Sequence, residues 1–251
     1  MNWTALKISA IAMAAALTTL PLMAWAAAPA APAVAPLHTL GAKAIFPRLT
    51  KFPDAKIMAK VNTALATQEK ADRSAYADCL SQIKDMKMKA DKDSYSEEVT
   101  VRYLSARYLS IEVLTSYYCA GAYPTNGAET PLSFDFSSGS QIDWTTQFKP
   151  GFLPNPDAAE GAPLSVLTKL YRARYSKAKD DAECRQAINE QDPFSGAPII
   201  WLDVKAGMIV QPDFPHVIAA CATQLTLSPA DVAPYLKDAK LAADLKATVH
   251  K

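Results

Sequence analysis

Four cysteines, Cys79, Cys119, Cys184 and Cys221, all lie downstream of a stretch from Ile8 to Leu37 that has no charged side chain. No other feature narrows the possible folds as much. Met1 to Lys7 carries a single positive charge, Ile8 to Leu20 is Ala-rich and apolar, and Pro21 interrupts the helix that such a stretch would form. Ala24-Trp25-Ala26 then supplies small residues at the positions a signal peptidase reads, so the pattern predicts a signal peptide over residues 1–26, cut after Ala26. The competing reading is an uncleaved anchor, because Ile8 to Ala28 is 21 residues and about 20 apolar residues can span a bilayer. Both readings export the remainder, and no cysteine stands near the cut to take a lipid. The expected location is the periplasm, with no stable membrane insertion once the leader is removed.

In an oxidising compartment an even number of cysteines favours disulfides. Four cysteines allow three pairings. The simplest is sequential, Cys79 with Cys119 and Cys184 with Cys221, each pair bracketing a helix-to-strand excursion that must return to the core. Each loop closure would contribute about 3–4 kcal/mol on the chain-entropy account. The alternative use of the thiols is a metal site, but no CxxC and no paired-histidine spacing accompanies them. No metal and no cofactor is therefore expected.

Removing residues 1–26 from 251 leaves 225, which suits one domain. With Lys7 gone, 25 basic residues face 25 acidic ones, so the mature chain has no long-range field to draw in nucleic acid or an anionic membrane surface. Residues 27–40 include an Ala/Pro-rich run, Ala27 to Pro36, that cannot build a core and reads as a linker. The globular domain is expected over 41–251.

Within it, Ile57, Val61 and Leu65 recur at the spacing of one buried helical stripe, predicting a helix over Ala55–Gln68. A second helix is read over Ala75–Met88, carrying Cys79 and Ile83 inward, followed by a solvated connection over Lys87–Asp93. From Ser96 the period changes to two. Val99, Val101 and Tyr103, then Leu109, Ile111 and Val113, alternate with their neighbours as two strands. Pro131–Phe136 and Gln141–Phe148 flank the turn formers Ser137-Ser138-Gly139-Ser140 as a hairpin. Leu164–Ala178 returns to helical spacing, Pro198–Val204 and Met208–Gln211 make a second hairpin, and Gln224–Leu227 is a last strand. Ser228-Pro229 is a good N-cap and first position for an Ala/Lys-rich C-terminal helix. The expected fold class is α+β: a single domain with an antiparallel sheet packed with several helices.

No nucleophile elbow, phosphate loop or zinc-protease motif occurs, and of three histidines only His216 falls within the expected domain, away from its ends. His216 reads as a packing or capping residue, and no catalytic residue is assigned. Glu97, Glu98, Glu112, Glu129, Asp135 and Asp143 could supply the two carboxylates of a glycosidase, yet adjacent strand residues such as Glu97 and Glu98 point to opposite faces. Solvated strand faces are the simpler reading.

Aromatic, small and turn residues concentrate in Ser116 to Asn126, followed by Phe134-Asp135-Phe136 and Ile142-Asp143-Trp144. Ala120-Gly121-Ala122 permits close approach of a backbone or ligand, and tyrosines with apolar rings and polar tips are common at recognition surfaces. The candidate binding residues are Tyr118, Tyr123, Asn126 and Trp144. The competing reading is a structural turn pinned by Cys119.

Three further segments, in order, carry a resemblance: Phe46-Pro47-Arg48-Leu49 with Val61-Asn62-Thr63-Ala64-Leu65, then Tyr118-Cys119-Ala120-Gly121-Ala122-Tyr123-Pro124, then Phe134-Asp135-Phe136 with Gly139. Together, over Ile45 to Phe148, they resemble the bacterial extracytoplasmic family known as domain of unknown function 3298 (DUF3298). Its members include the sensor domain of the lysozyme-responsive anti-sigma factor RsiV and an accessory domain of the peptidoglycan deacetylase PdaC. The family's turn has Gly where Ala120 stands and often His where Tyr123 stands, and its hairpin has Tyr at the position of Phe134. The resemblance implies an α+β envelope domain that recognises a peptidoglycan fragment or a wall-acting protein such as a lysozyme. It does not imply deacetylation, because the metal-binding deacetylase motifs have no counterpart. The rival functions are a structural envelope protein without a ligand and a cell-wall hydrolase.

Overall fold

A computed structural model describes residues 33–34, 38–40, 43–89, 94–119, 128–155, 157, 162–175, 182–190, 192–194, 198–214 and 221–248. Its centre is a long antiparallel hairpin, β5 (Tyr95–Leu104) and β6 (Tyr108–Tyr117), in register from Tyr95 opposite Tyr117 to Leu104 opposite Leu109, with a bulge between Val101 and Tyr103. The other edge of β6 receives β7 (Ala128–Glu129) and β8 (Leu132–Asp135), and β8 pairs with β9 (Ser140–Gln141), giving a five-stranded antiparallel sheet.

The two-residue period decides which side of this sheet faces what. On one face Val99, Leu109, Ile111 and Val113 are buried against Val61 and Leu65 of α1 (Ala55–Asp85), together with Phe46, Leu49, Phe134 and Phe136. Asp54 caps α1 by accepting from the N–H groups of Lys56 and Ile57 at 2.8 and 3.1 Å. The two separate helices expected from the sequence are one helix of 31 residues. The intervening Glu69 to Ser74 contains neither Gly nor Pro, and Gln68–Asp72 and Glu69–Arg73 bond across one turn.

The opposite face meets a three-stranded antiparallel sheet in the order β10 (Ile199–Asp203), β11 (Gly207–Gln211), β12 (Leu225–Leu227). The amide of Leu202 donates to Ser110 Oγ at 3.1 Å and that of Val204 to the Arg102 carbonyl at 2.9 Å, so β10 is tied directly to the long hairpin. Asp203 shapes the β10–β11 turn by accepting from the amides of Lys205 and Ala206, both at 2.8 Å. Gly207 has φ +94°, and a Cβ there would lie 2.9 Å from the Leu227 carbonyl oxygen. The turn therefore needs glycine for its backbone and for the close approach of β12.

A second core, with Tyr103, Tyr108, Ile200, Leu202, Met208 and Leu227 buried, lies on this side. It is covered by α3 (Val166–Tyr175), α4 (Ala182–Glu190), α5 (Pro229–Val232) and α6 (Ala239–Thr248). The fold is α+β with antiparallel sheets, as the periodicity predicts. Disulfides join Cys79 to Cys119 and Cys184 to Cys221, with Cα atoms 4.7 and 5.2 Å apart.

Several element readings need correction. The second arm of the expected Pro131–Phe148 hairpin is two residues long, because Asp143 accepts from the Thr145 amide at 3.0 Å and starts the short helix α2 (Trp144–Gln147). The C-terminal helix is split: the Ser228–Asp231 capping box opens α5, and Pro234 falls in the break before α6. Helix α4 has no counterpart in the periodicity: among its described side chains Cys184 and Ile188 are the buried ones, too short a stripe to mark a helix. Upstream of the domain start expected near Gly41, β1 (Ala33–Val34) pairs with β4 (Leu49–Lys51), and β2 (His38–Leu40) pairs with β3 (Lys43–Ile45). Strand pairing thus enters the stretch read as linker, which backbone groups can do without any apolar side-chain signal. Residues 1–26, expected to be a leader, lie outside the described residues, as does His216.

Candidate recognition surface

The Cys79–Cys119 disulfide clamps the last third of α1 to the end of β6. Around it the chain is tightly laced. The Tyr118 amide donates to the Ser94 carbonyl at 2.8 Å, and the Met88 amide returns to the Ile83 carbonyl at 3.0 Å. Cys79, Ile83 and Tyr95 form a small separate core, edged by the half-buried Tyr76 and Tyr117. Tyr76 meets Tyr95 edge-on at 5.1 Å and Tyr95 stacks on Tyr117 at 6.1 Å. Burial, then the negative charges of Glu97 and Asp72, push the Tyr95 hydroxyl up to about 12, so it stays protonated at neutral pH.

This buried cluster supports an exposed rim. Tyr118 is 38% exposed, Met86 57% and Met88 40%, and all three stand on the segments that the disulfide and the buried cluster hold. Leu114, 45% exposed, adds a further apolar group on β6. Rigid tyrosine with adaptable methionine is the composition of protein-binding surfaces.

The sequence placed Tyr118, Tyr123, Asn126 and Trp144 on one surface. Tyr123 and Asn126 lie outside the described residues. Tyr118 and Trp144 are not brought together: Tyr118 follows the end of β6 paired with Tyr95, whereas Trp144 follows β9, whose partner β8 pairs with the Tyr108 end. At about 3.3 Å per residue the length of β6 separates them by roughly 30 Å. Trp144 is half-buried against the second core and faces Phe148 at 6.3 Å between ring centres.

Two polar clusters escaped the sequence reading as clusters. Glu112 and Glu129, expected on solvated faces, meet on the side of the hairpin facing the second sheet. Arg102 Nη2 lies 2.5 Å from Glu112 Oε2, Gln224 Nε2 donates to Glu129 Oε1 at 2.7 Å, and Glu129 is hydrogen-bonded to Glu112. Burial first, then the bond and charge of Glu112, push the Glu129 carboxyl up to about 8 against the opposing Arg102 charge and Gln211 bond. Two carboxyls in direct contact differ from the separation of roughly 5–9.5 Å that glycosidases use.

In the second cluster, Arg107 Nη2 reaches Asp135 at 3.3 Å and Asp238 at 3.1 Å, and Tyr108 donates to Asp238 at 3.1 Å. This network borders a pit of about 250 Å³ lined also by Ser140, Asp143 and Gln147. Another pit of about 220 Å³ lies between Tyr171, Tyr175 and Leu225. Both fall below the roughly 300–1,000 Å³ of ordinary small-molecule sites. A wider groove of about 780 Å³ runs over alanines between α5 and α6, with Lys149, Lys237 and Lys246 along it.

No protein-family profile and no curated protein matches the chain. Among solved structures, the crystal structure of a DUF3298 family member from Bacteroides fragilis superposes with a TM-score of 0.55, over 80% of this chain and 87% of that one, at 14% identity. The chain has the DUF3298 fold. At this identity the likeness concerns architecture. Asn62 accepts from the Leu49 amide at 2.8 Å and donates to the Leu49 carbonyl at 2.9 Å, so α1 is hydrogen-bonded to the Phe46-Pro47-Arg48-Leu49 segment.

Proposed function

We propose that the protein is an exported periplasmic binding domain whose partner is a wall-acting protein, engaged through the disulfide-clamped end around Tyr118, Met86 and Met88. The observation that carries this reading is the exposed apolar rim standing on a buried, cross-linked tyrosine cluster. The backbone under Tyr118 is pre-ordered by the disulfide and the buried cluster, so binding there would forfeit little backbone entropy, while the methionines adapt to the partner. The two pits, of about 220 and 250 Å³, are small for a wall fragment, which favours a surface interaction. Among the described residues no helix is long and apolar enough to cross a membrane. Two disulfides accord with an oxidising compartment.

The resemblance to the RsiV sensor domain makes a lysozyme the first partner to test, and soluble peptidoglycan fragments the control. Calorimetric titration with each, on wild type and Tyr118→Ala, decides the matter. Binding to lysozyme weakened by about 2 kcal/mol in the variant supports the reading. Binding only to wall fragments, or equal lysozyme affinity in both proteins, overturns it.

A further inference from the structure

Glu129 occupies an unusual position. It sits on the two-residue strand β7, directly opposite Leu114, while Glu112 lies two residues along β6 on the same face. Glu112 is 6% exposed and is held by Arg102 through both Nε, at 2.7 Å, and Nη2, at 2.5 Å. Across the gap, the second sheet contributes Gln224, which leads into β12, and Gln211 at the end of β11. The charged groups facing Glu129 are thus Glu112 from β6 and Arg102 from β5. The second sheet presents neutral amides, and Glu98, on the same face of β5, is exposed to solvent.

We propose that the Glu112–Glu129 contact is a pH-sensitive clasp that fastens β7 to β6 and to the lead-in of β12, closed while Glu129 carries its proton and loosened when it loses it. With the proton in place, the Glu129 hydroxyl donates to Glu112, and the remaining oxygen accepts from Gln224. Loss of the proton to solvent removes that donor and leaves the Glu129 carboxylate against Glu112, whose bond to the Arg102 guanidinium is already made. Among the described residues, strand β7 is short: its two residues pair with Leu114 and Thr115, and the next amide, Thr130, donates to the Val113 carbonyl at 2.9 Å. Pro131 then interrupts the edge before β8 begins. The clasp therefore controls a short, separable piece of the sheet. This inference does not depend on what the Tyr118 rim binds.

Glu129→Gln imitates the closed state, because its amide can donate to Glu112 and its carbonyl can accept from Gln224. Hydrogen exchange corrected for intrinsic rates should show protection of residues 128–132 falling at least tenfold between pH 6 and pH 9 in wild type. Glu129→Gln should stay level, and so should α6 in both proteins. A wild-type protection that does not change, or an equal fall in Glu129→Gln, overturns the proposal. Should the variant not fold, carbon-detected titration of the wild-type glutamate carboxyls decides instead: a Glu129 midpoint below pH 5 eliminates the clasp, and one above pH 7 upholds it.

Discussion

At the scale of single residues, the same side-chain type does different work according to what surrounds it. Asn62 satisfies both backbone groups of Leu49 from a half-buried position, so Asn62→Ala leaves a donor and an acceptor without their partner. Its unfolding free energy should fall by about 1–3 kcal/mol, measured by urea titration. Composition groups Tyr118 with Trp144, and the structure separates them in place and burial. Tyr118→Ala should change stability by no more than about 0.5 kcal/mol, as an exposed substitution does. Trp144→Ala, which removes a half-buried ring from the edge of the second core, should cost about 1–3 kcal/mol and leave partner affinity unchanged. Thermal melts and titration of the two variants side by side would show whether that division holds.

At the scale of elements, α1 and the long hairpin organise everything else. The helix reaches from the Asn62 clamp to the Cys79–Cys119 disulfide, so it couples the first core to the tyrosine end. Ala71 is exposed in the middle of the segment once read as a break, and Ala71→Pro should cost about 3 kcal/mol because the helix continues through it. Two separate helices would tolerate the change, and circular dichroism with a denaturation curve distinguishes the cases. Replacing Cys79 and Cys119 together by serine should lower stability by about 2–5 kcal/mol. On the proposed function, partner affinity should fall as well in the fraction that remains folded, because the rim loses its clamp.

For the whole molecule, pH acts from both sides. Burial works to raise the Asp238 and Asp231 carboxyls, but hydrogen bonds outweigh it and hold both below the usual carboxylate range: for Asp238 from the Lys240 amide, Tyr108 and Arg107, and for Asp231 from Ser228 and Arg174. Their stabilisation is present above the ordinary aspartate pKa and is lost as pH falls through the lowered folded value. Glu129 runs the other way. Its folded pKa of about 8 lies above the usual 4.5, so its contribution is full below 4.5 and disappears as pH rises toward 8. The melting temperature should therefore peak near pH 5, and Glu129→Gln should move the peak upward. Scanning calorimetry from pH 3 to 9 provides the check. Intact-mass measurement of the native protein should find a chain beginning at Ala27, and one that retains Met1 would reject cleavage.

Much of this architecture was legible in one dimension because it rests on local rules. The alternation of Val99, Val101, Leu109, Ile111 and Val113 announces a half-buried hairpin, and the spacing of Val61 and Leu65 announces the helix that covers it. Sequential cysteine pairing follows from returning each excursion to its core, and the sequential pairs are the ones found. The continuity of α1 was obscured by polar residues whose one-turn partners lie outside any hydrophobic period. Tertiary structure alone decided which polar groups meet. Glu112 and Glu129 lie on different strands, and Gln224 belongs to another sheet, so their juxtaposition depends on register and on how two sheets face each other. Tyr118 and Trp144 are close in composition and far apart in space for the same reason: β6 carries the chain from one end of the sheet to the other between their partners. Local periodicity determines the elements, whereas the carboxyl pair and the tyrosine cluster beneath Tyr118 exist only where the packed elements bring distant positions into contact.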